Sequence, residues 1–163
     1  MAQSRNRLIP QRQAEEISAL DKRIIEHLQQ DGRRPFTQIA TELGVSEAAV
    51  RARTNRLVER GILQIVGVTD PLKLGFHQQA MIGIRCERDH LIDVADAVAA
   101  FPEVDYVVIT AGTYDLLIET VCEDNEALLN FLTGRLCRIE GVRETETFVY
   151  LRMVKQTYQW GTR

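Results

Sequence analysis

Arg51, Arg53, Asn55 and Arg56 are the side chains whose types and spacing best suit chemistry with a polyanion. A guanidinium fork fits phosphate oxygens or the acceptor edge of guanine, and an Asn amide can pair with adenine. At about 100° per residue, Val50, Thr54, Leu57 and Val58 form one stripe that faces a core. Ala48, Arg51, Ala52 and Asn55 fall on the opposite side, while Arg53, Arg56 and Arg60 flank the apolar stripe. Small residues let such a helix approach a groove floor closely. The same pattern also suits an ordinary three-helix bundle with a solvated arginine face. The remaining reactive side chains suggest no chemistry. Cys86, Cys122 and Cys137 are far apart and lie in apolar contexts, which predicts buried, reduced thiols. His27, His77 and His90 show no ligand spacing. No catalytic residue, metal site or cofactor is expected.

The elements around the arginines form a helix-turn-helix pattern. Leu20, Ile24, Ile25 and Leu28 make one helical stripe after Ser18, a suitable N-cap, and Asp21 suits the helix N-terminus. Asp31-Gly32 ends that helix. Pro35 opens a second, from Thr37 to Leu43, with Ile39, Ala40 and Leu43 on its apolar face. Gly44 supplies the turn, Val45 plugs the corner, and Ser46 caps a third helix from Glu47 to about Arg60, stopped by Gly61. Ile62 to Thr69 alternates and is β-branched, predicting one extended strand where a winged helix-turn-helix carries its wing. Asp70-Pro71 ends it.

Beyond this point the order is strand, helix, strand, strand, helix, strand. Ala80–Cys86, Val104–Ala111, Leu116–Cys122 and Thr145 to about Val154 are the expected strands. Leu91, Val94, Ala95, Val98 and Phe101 mark one amphipathic helix; Leu128, Leu129, Leu132 and Leu136 mark the other. This is the ferredoxin-like βαββαβ plan, with both helices on one face of an antiparallel sheet. The fold class is therefore α+β: an N-terminal winged helix-turn-helix plus a C-terminal ferredoxin-like βαββαβ domain. The divisions are a basic arm at 1–17, the DNA-binding unit at 18–63, wing strand and linker at 64–76, and the sheet domain at 77–163. The uncovered sheet face suggests self-association.

The 163 residues carry a formal net charge of −3, which argues against a nucleic-acid binder only if the charge is evenly spread. It is not. Residues 1–63 hold eleven Lys/Arg against eight Asp/Glu, a formal +3, whereas residues 64–163 hold nine against fifteen, a formal −6. No stretch approaches a membrane span and the N-terminus lacks the apolar core of a secretory signal, so a cytoplasmic location is expected.

In order and spacing the chain resembles the Lrp/AsnC, or feast/famine, transcription regulators from Leu20 to about Thr157. The stretches that carry the resemblance include Leu20-Asp21, Asp31-Gly32-Arg33, Ile39-Ala40, Gly44-Val45-Ser46, Val50-Arg51-x-Arg53, Arg56-Leu57 and Gly61-Ile62. Asp70-Pro71 with Leu74-Gly75, Gly112-x-Tyr114-Asp115, and Gly141-Val142 with Thr145 and Thr147 complete it. The resemblance implies a sequence-specific DNA-binding regulator that responds to an amino acid or related small metabolite. It implies homodimers through the sheets, assembled further to tetramers or octamers, and no membrane. The implied DNA-reading helix is Ser46 to Arg60, with Ser46, Glu47, Ala48, Arg51, Arg53, Asn55 and Arg56 as its DNA-binding candidates; on the chemistry of these side chains, Arg51 and Asn55 are expected on base edges and Arg53 and Arg56 on phosphates. The implied effector residues are Thr110, Ala111, Gly112, Thr113, Tyr114 and Asp115. Gly112 would expose backbone N–H groups to a carboxylate, and Asp115 would accept from an ammonium; the bland alternative is a plain hairpin turn. Two departures stand out. Many members begin the reading helix with Ser-Pro-Thr, where this chain has Ser46-Glu47-Ala48; many read Gly-Asp-x-Asp in the turn, where it has Gly112-Thr113-Tyr114-Asp115. The competing readings are an enzyme like the sirohaem decarboxylases and a metabolite-sensing partner protein without DNA binding. The acidic second half and scattered histidines offer nothing to a large acidic tetrapyrrole.

Overall fold

The computed structural model describes residues 17–157 and residue 161. The expected arm at 1–17 lies, up to its last residue, outside the described residues. Two compact units divide at Gly67, the second spanning Val68–Gln156.

The first unit holds α1 (Ala19–Gln30), α2 (Phe36–Leu43) and α3 (Glu47–Glu59). A reciprocal capping box starts α1: Ser18 Oγ accepts from the Asp21 N–H, and the Asp21 carboxylate accepts from the Ser18 N–H. Gly44 takes φ 68°, the left-handed conformation that turns α2 into α3, and the Val45 N–H donates to the Ala40 carbonyl at 3.0 Å. Ser46 Oγ then accepts from Ala49 N–H at the start of α3. Ile24, Ile39, Val50 and Leu57 are wholly buried at the meeting of the three helices, with Ile25, Leu28, Ala40 and Leu63 around them. Val58 departs from its expected place on the core stripe and is 45% exposed. It lies at the stripe's edge. The chain after Gly61 folds back over Leu57 instead, where Ile62 and Leu63 both donate to the Leu57 carbonyl.

The expected strand at 62–69 does not form a ladder. Leu63 joins the core, but each residue from Gln64 to Asp70 is exposed and none pairs with another strand among the described residues. Alternation and β-branching make a segment fit for a sheet; only a neighbour with free N–H and C=O groups makes it a strand.

The second unit is one antiparallel sheet of β1 (Gln78–Cys86), β2 (Val104–Ile109), β3 (Leu116–Cys122) and β4 (Val142–Val149), in the order β2-β3-β1-β4. Alternate residues Ala80, Ile82, Ile84 and Cys86 of β1 and Leu116 and Ile118 of β3 face the covered side. Val94 and Val98 from α4 (Leu91–Ala99) close over them, together with Phe131 and Leu136 after α5 (Asn125–Asn130). Both helices thus lie on one face, as the ferredoxin-like plan requires.

Three details differ from expectation. The second helix does not keep its 3.6-residue stripe: a π turn spans Phe131–Arg135 after α5, followed by a 3-10 turn at Leu136–Arg138. Up to that turn the buried stripe runs from Leu128 to Phe131, three residues on, so Phe131 points into the core while Leu129 is 57% exposed. Cys137, in the 3-10 turn, is exposed, whereas Cys86 and Cys122 are buried. The last strand begins at Val142 and stops at Val149, although the expected run was Thr145 to about Val154. It is an edge strand, paired among the described residues with β1 alone, and its last pair is Val149 with Ala80, two residues inside the start of β1.

Phe131→Ala is expected to destabilise the fold by about 3–5 kcal/mol, and Leu129→Ala by no more than about 0.5 kcal/mol. Urea denaturation of both variants reads the difference. Equal losses would mean that Leu129 shares the core with Phe131, as the expected stripe of Leu128, Leu129, Leu132 and Leu136 has it.

Candidate nucleic-acid interface and effector turn

On the outer side of α3, Glu47, Ala48, Arg51, Ala52 and Asn55 line one shallow, open depression. The helical period places them there: the core takes Val50, Thr54 and Leu57, which leaves positions 48, 51, 52 and 55 turned away. Two alanine methyls form the floor. Arg51 is held in place from two sides. Its Nη2 lies 2.5 Å from Glu47 Oε1, one turn earlier, and its guanidinium stacks 5.3 Å from the Phe36 ring centroid. The side chain is nevertheless mostly exposed. Asn55 is exposed beside it, and both can offer paired donors or a donor and an acceptor outward. Ser46 spends its hydroxyl on the cap of α3.

Arg53 and Arg56 occupy different surroundings from those expected of free phosphate contacts. Asp21 of α1, only 3% exposed, sits beneath them. Arg53 Nη1 donates to Asp21 Oδ1 at 2.9 Å and reaches Ser18 Oγ at 3.3 Å. Arg56 Nη2 is 3.7 Å from Asp21 Oδ2 and over half exposed. Burial alone would raise the Asp21 carboxyl; hydrogen bonds from Ser18 and Arg53, with the Arg53 charge, outweigh it and hold the carboxyl below its ordinary value. The sequence reading placed Asp21 as a helix-start charge and missed this role. Its signal was present as Ser18-x-x-Asp21, but the partner lies 32 residues further along the chain.

The expected effector turn joins β2 to β3. Ala111, Gly112 and Thr113 form its exposed tip. Thr110 closes it: its N–H donates to the Asp115 carbonyl at 2.9 Å and its hydroxyl to the Tyr114 carbonyl. Asp115, expected to meet an ammonium, has a structural partner already. Its Oδ2 accepts from the Cys86 N–H at 2.8 Å, and its N–H donates to the Ile84 carbonyl at 2.9 Å. That carboxylate takes the β1 N–H just beyond the ladder with β3, whose last pair is Ile84 with Leu116. Gly112 has no positive φ and a Cβ there would meet open space, so the turn's backbone does not require glycine.

Two residues absent from the expected set anchor this turn. Arg85 Nε donates to the Thr113 carbonyl at 3.0 Å, while its Nη1 pairs with Glu144 Oε2 at 2.8 Å. Gly83 lets the Tyr114 ring lie flat on β1; a Cβ there would stand 2.6 Å from the ring. Phe148 meets the other side of Tyr114 edge-on, with centroids 6.3 Å apart. A lone glycine inside an apolar strand was the available signal for Gly83. Nothing in the sequence marked Arg85.

Residues 17–58 match the model of the AsnC-type helix-turn-helix domain, and residues 79–160 that of the Lrp/AsnC ligand binding domain. An uncharacterized HTH-type transcriptional regulator of Pyrococcus furiosus is 36% identical over 146 residues, covering 89% of this chain and 96% of that protein. The HTH-type transcriptional regulator LrpA of Pyrococcus horikoshii is 31% identical over 140 residues, 85% of this chain and 99% of LrpA. Among solved structures, Escherichia coli AsnC superposes with a TM-score of 0.81 at 24% identity, over 88% of this chain and 98% of AsnC. A Neisseria meningitidis transcriptional regulator in complex with L-Met superposes with a TM-score of 0.82 at 23% identity, over 90% and 97%. At these identities the superpositions speak for the fold.

Because its folded carboxyl lies below the unfolded value of about 3.8, Asp21 contributes stability that is full above that value and lost as pH falls through the folded one. Asp21→Asn is therefore expected to lower the urea midpoint at neutral pH, with the gap from the native chain closing in acid. A gap that stays constant down to acid pH would show that Asp21 is not held ionised.

Proposed function

The chain belongs to the Lrp/AsnC family of DNA-binding transcriptional regulators, and on that premise we propose that α3 enters the DNA major groove with Arg51 and Asn55 on base edges. The depression on α3 carries this reading. It has a small-residue floor at Ala48 and Ala52, a guanidinium fork fixed by Glu47 and Phe36, and an exposed amide one turn away. Those features suit a purine edge, and Glu47 adds an acceptor suited to a cytosine amino group. Arg56, with donors in solvent, takes a phosphate, and Ser46 with the first N–H groups of α3 lies against the backbone.

The ligand-binding domain responds to a small-molecule effector, and the proposed ligand class is an amino acid or a related metabolite. The L-Met complex of the Neisseria meningitidis regulator supports that class. The exposed tip Ala111-Gly112-Thr113 offers backbone N–H groups for a carboxylate. Asp115 and Tyr114 position the tip: Asp115 holds the Cys86 amide, and Tyr114 packs on Gly83. Two chains associate through the open sheet faces, and dimers assemble into tetramers or octamers. That face is partly apolar, with Tyr106 and Phe148 among its exposed rings. A dimer presents two copies of α3, which predicts a pseudo-palindromic site with half-sites one or two helical turns apart. Effector binding alters the assembly, and through it DNA affinity, to the extent that the two assemblies differ in affinity for the effector.

Arg51→Ala is expected to cost about 1–3 kcal/mol of operator binding and to relax the base preference at one position, read by selection from a random duplex library and by anisotropy. Native-like affinity and selectivity would remove Arg51 from the reading surface. Sedimentation of the full chain is expected to give a dimer or larger without ligand, and a changed distribution with one of the twenty amino acids. An 18.6 kDa monomer under every condition would reject both the assembly and its effector control.

A further inference from the structure

Arg53 and Arg56 stand one turn apart on α3 with the same chemistry, yet one buried carboxylate treats them differently. Asp21 has two oxygens. Oδ1 is taken by Arg53 at 2.9 Å. Oδ2 is taken by the Ser18 hydroxyl at 2.7 Å and faced by the Ser18 N–H at 3.3 Å. Arg56, 3.7 Å from that second oxygen, is left outside hydrogen-bonding distance. The side chains record the result: Arg53 is 34% exposed and Arg56 53%.

Moving Arg53 to a DNA phosphate would strip the best donor from a carboxylate that water can scarcely reach. A buried charge deprived of its partner is costly, whereas a phosphate contact made at the surface is screened by salt. The exchange is unfavourable for Arg53. For Arg56 it costs little, because that guanidinium already faces solvent and Oδ2 keeps its Ser18 donors.

We propose that Asp21 is an internal counter-anion that withholds Arg53 from DNA phosphates and leaves Arg56 available, so limiting how much of α3's charge binds DNA regardless of sequence. Asp21 is a positioning residue here and touches no DNA itself. The chemistry follows from counterion release. Each phosphate neutralised adds about 0.9 to the slope of log affinity against log salt, and this term carries no base information. Withholding one arginine per chain lowers non-specific binding while Arg51 and Asn55 keep their base contacts. The inference rests on α3 being the DNA-facing helix.

The test uses the full chain and a fluorescent duplex of random sequence, with anisotropy followed over a series of KCl concentrations. Asp21→Asn, nearly isosteric, is expected to tighten binding to this duplex at low salt and to steepen the salt slope by about 0.9 per chain. Adding Arg53→Gln to Asp21→Asn should return the slope to the native value. Arg53→Gln alone should leave it unchanged. A folded Asp21→Asn chain with the native slope overturns the proposal, because a purely structural Asp21 would change stability and not the slope. A double variant that stays steep overturns it as well. Should Asp21→Asn lose its helical circular dichroism, Arg53→Gln alone decides: an unchanged slope supports the proposal, and one shallower by about 0.9 per chain overturns it. If the native chain shows no salt-dependent duplex binding, the reading of α3 fails; if it binds and only the Asp21 result is negative, this inference fails alone.

Discussion

Asp21 carries a charge where water has little access, and the packing of α1 against α3 answers to that charge. A buried carboxylate must find donors or give up its ionisation. The Ser18 hydroxyl, the Ser18 N–H and the Arg53 guanidinium supply them. One side chain therefore serves three ends. It starts α1 through the capping box, it ties α1 to α3 beside the Ile24–Val50–Leu57 core, and it fixes the rotation of α3 about its axis. With that rotation set, Arg51, Asn55, Ala48 and Ala52 can only face outward. The polar surface and the apolar core of this unit are two consequences of one register.

The second unit has a comparable centre in β1. It pairs on both edges, with β3 and β4, and its alternating side chains supply four of the ten buried residues of the core. Its other face carries Gly83 under Tyr114, and Arg85 between Thr113 and Glu144. The turn between β2 and β3 is thus held by a strand that is not its sequence neighbour. Its ladder with β3 ends at Ile84, which leaves the Cys86 N–H to the Asp115 carboxylate. An acidic side chain that reads as a ligand contact in the sequence is, in the fold, what brings the loop tip to its position.

Charge divides along the same line as structure. The half with the formal +3 contains the reading helix, and the half with the formal −6 contains the sheet. Even within the basic half, formal charge overstates what faces a polyanion. Arg34 is paired with Glu42 at 2.6 Å, Arg51 with Glu47, and Arg53 with Asp21. Only the geometry tells which of these pairs DNA could open at little cost: the surface pair of Arg51 is weak, and the pair over a buried carboxylate is not.

Periodicity was enough to read the three helices, the Gly44 turn, the Ser18 and Ser46 caps and the order of the four strands, because each depends on residues within a few positions of one another. The arginine-bearing outer face of α3 was legible for the same reason. Where a feature depends on a distant partner, the local pattern misleads. Residues 62–69 have the composition of a strand and no strand beside them among the described residues; the last strand stops near the start of β1, its partner, and not where its own β-branched run ends. In the second helix Phe131, three residues after Leu128, takes the core place expected for Leu129, because the sheet covers that side of Leu128. The roles of Asp21, Asp115, Arg85 and Gly83 lie in contacts spanning about thirty residues or more. By itself the sequence determined which segments are helices, which faces are apolar and which side chains could meet a nucleic acid. The tertiary structure alone decided which of those charges are already spoken for, because a charge's partner is set by what burial brings beside it.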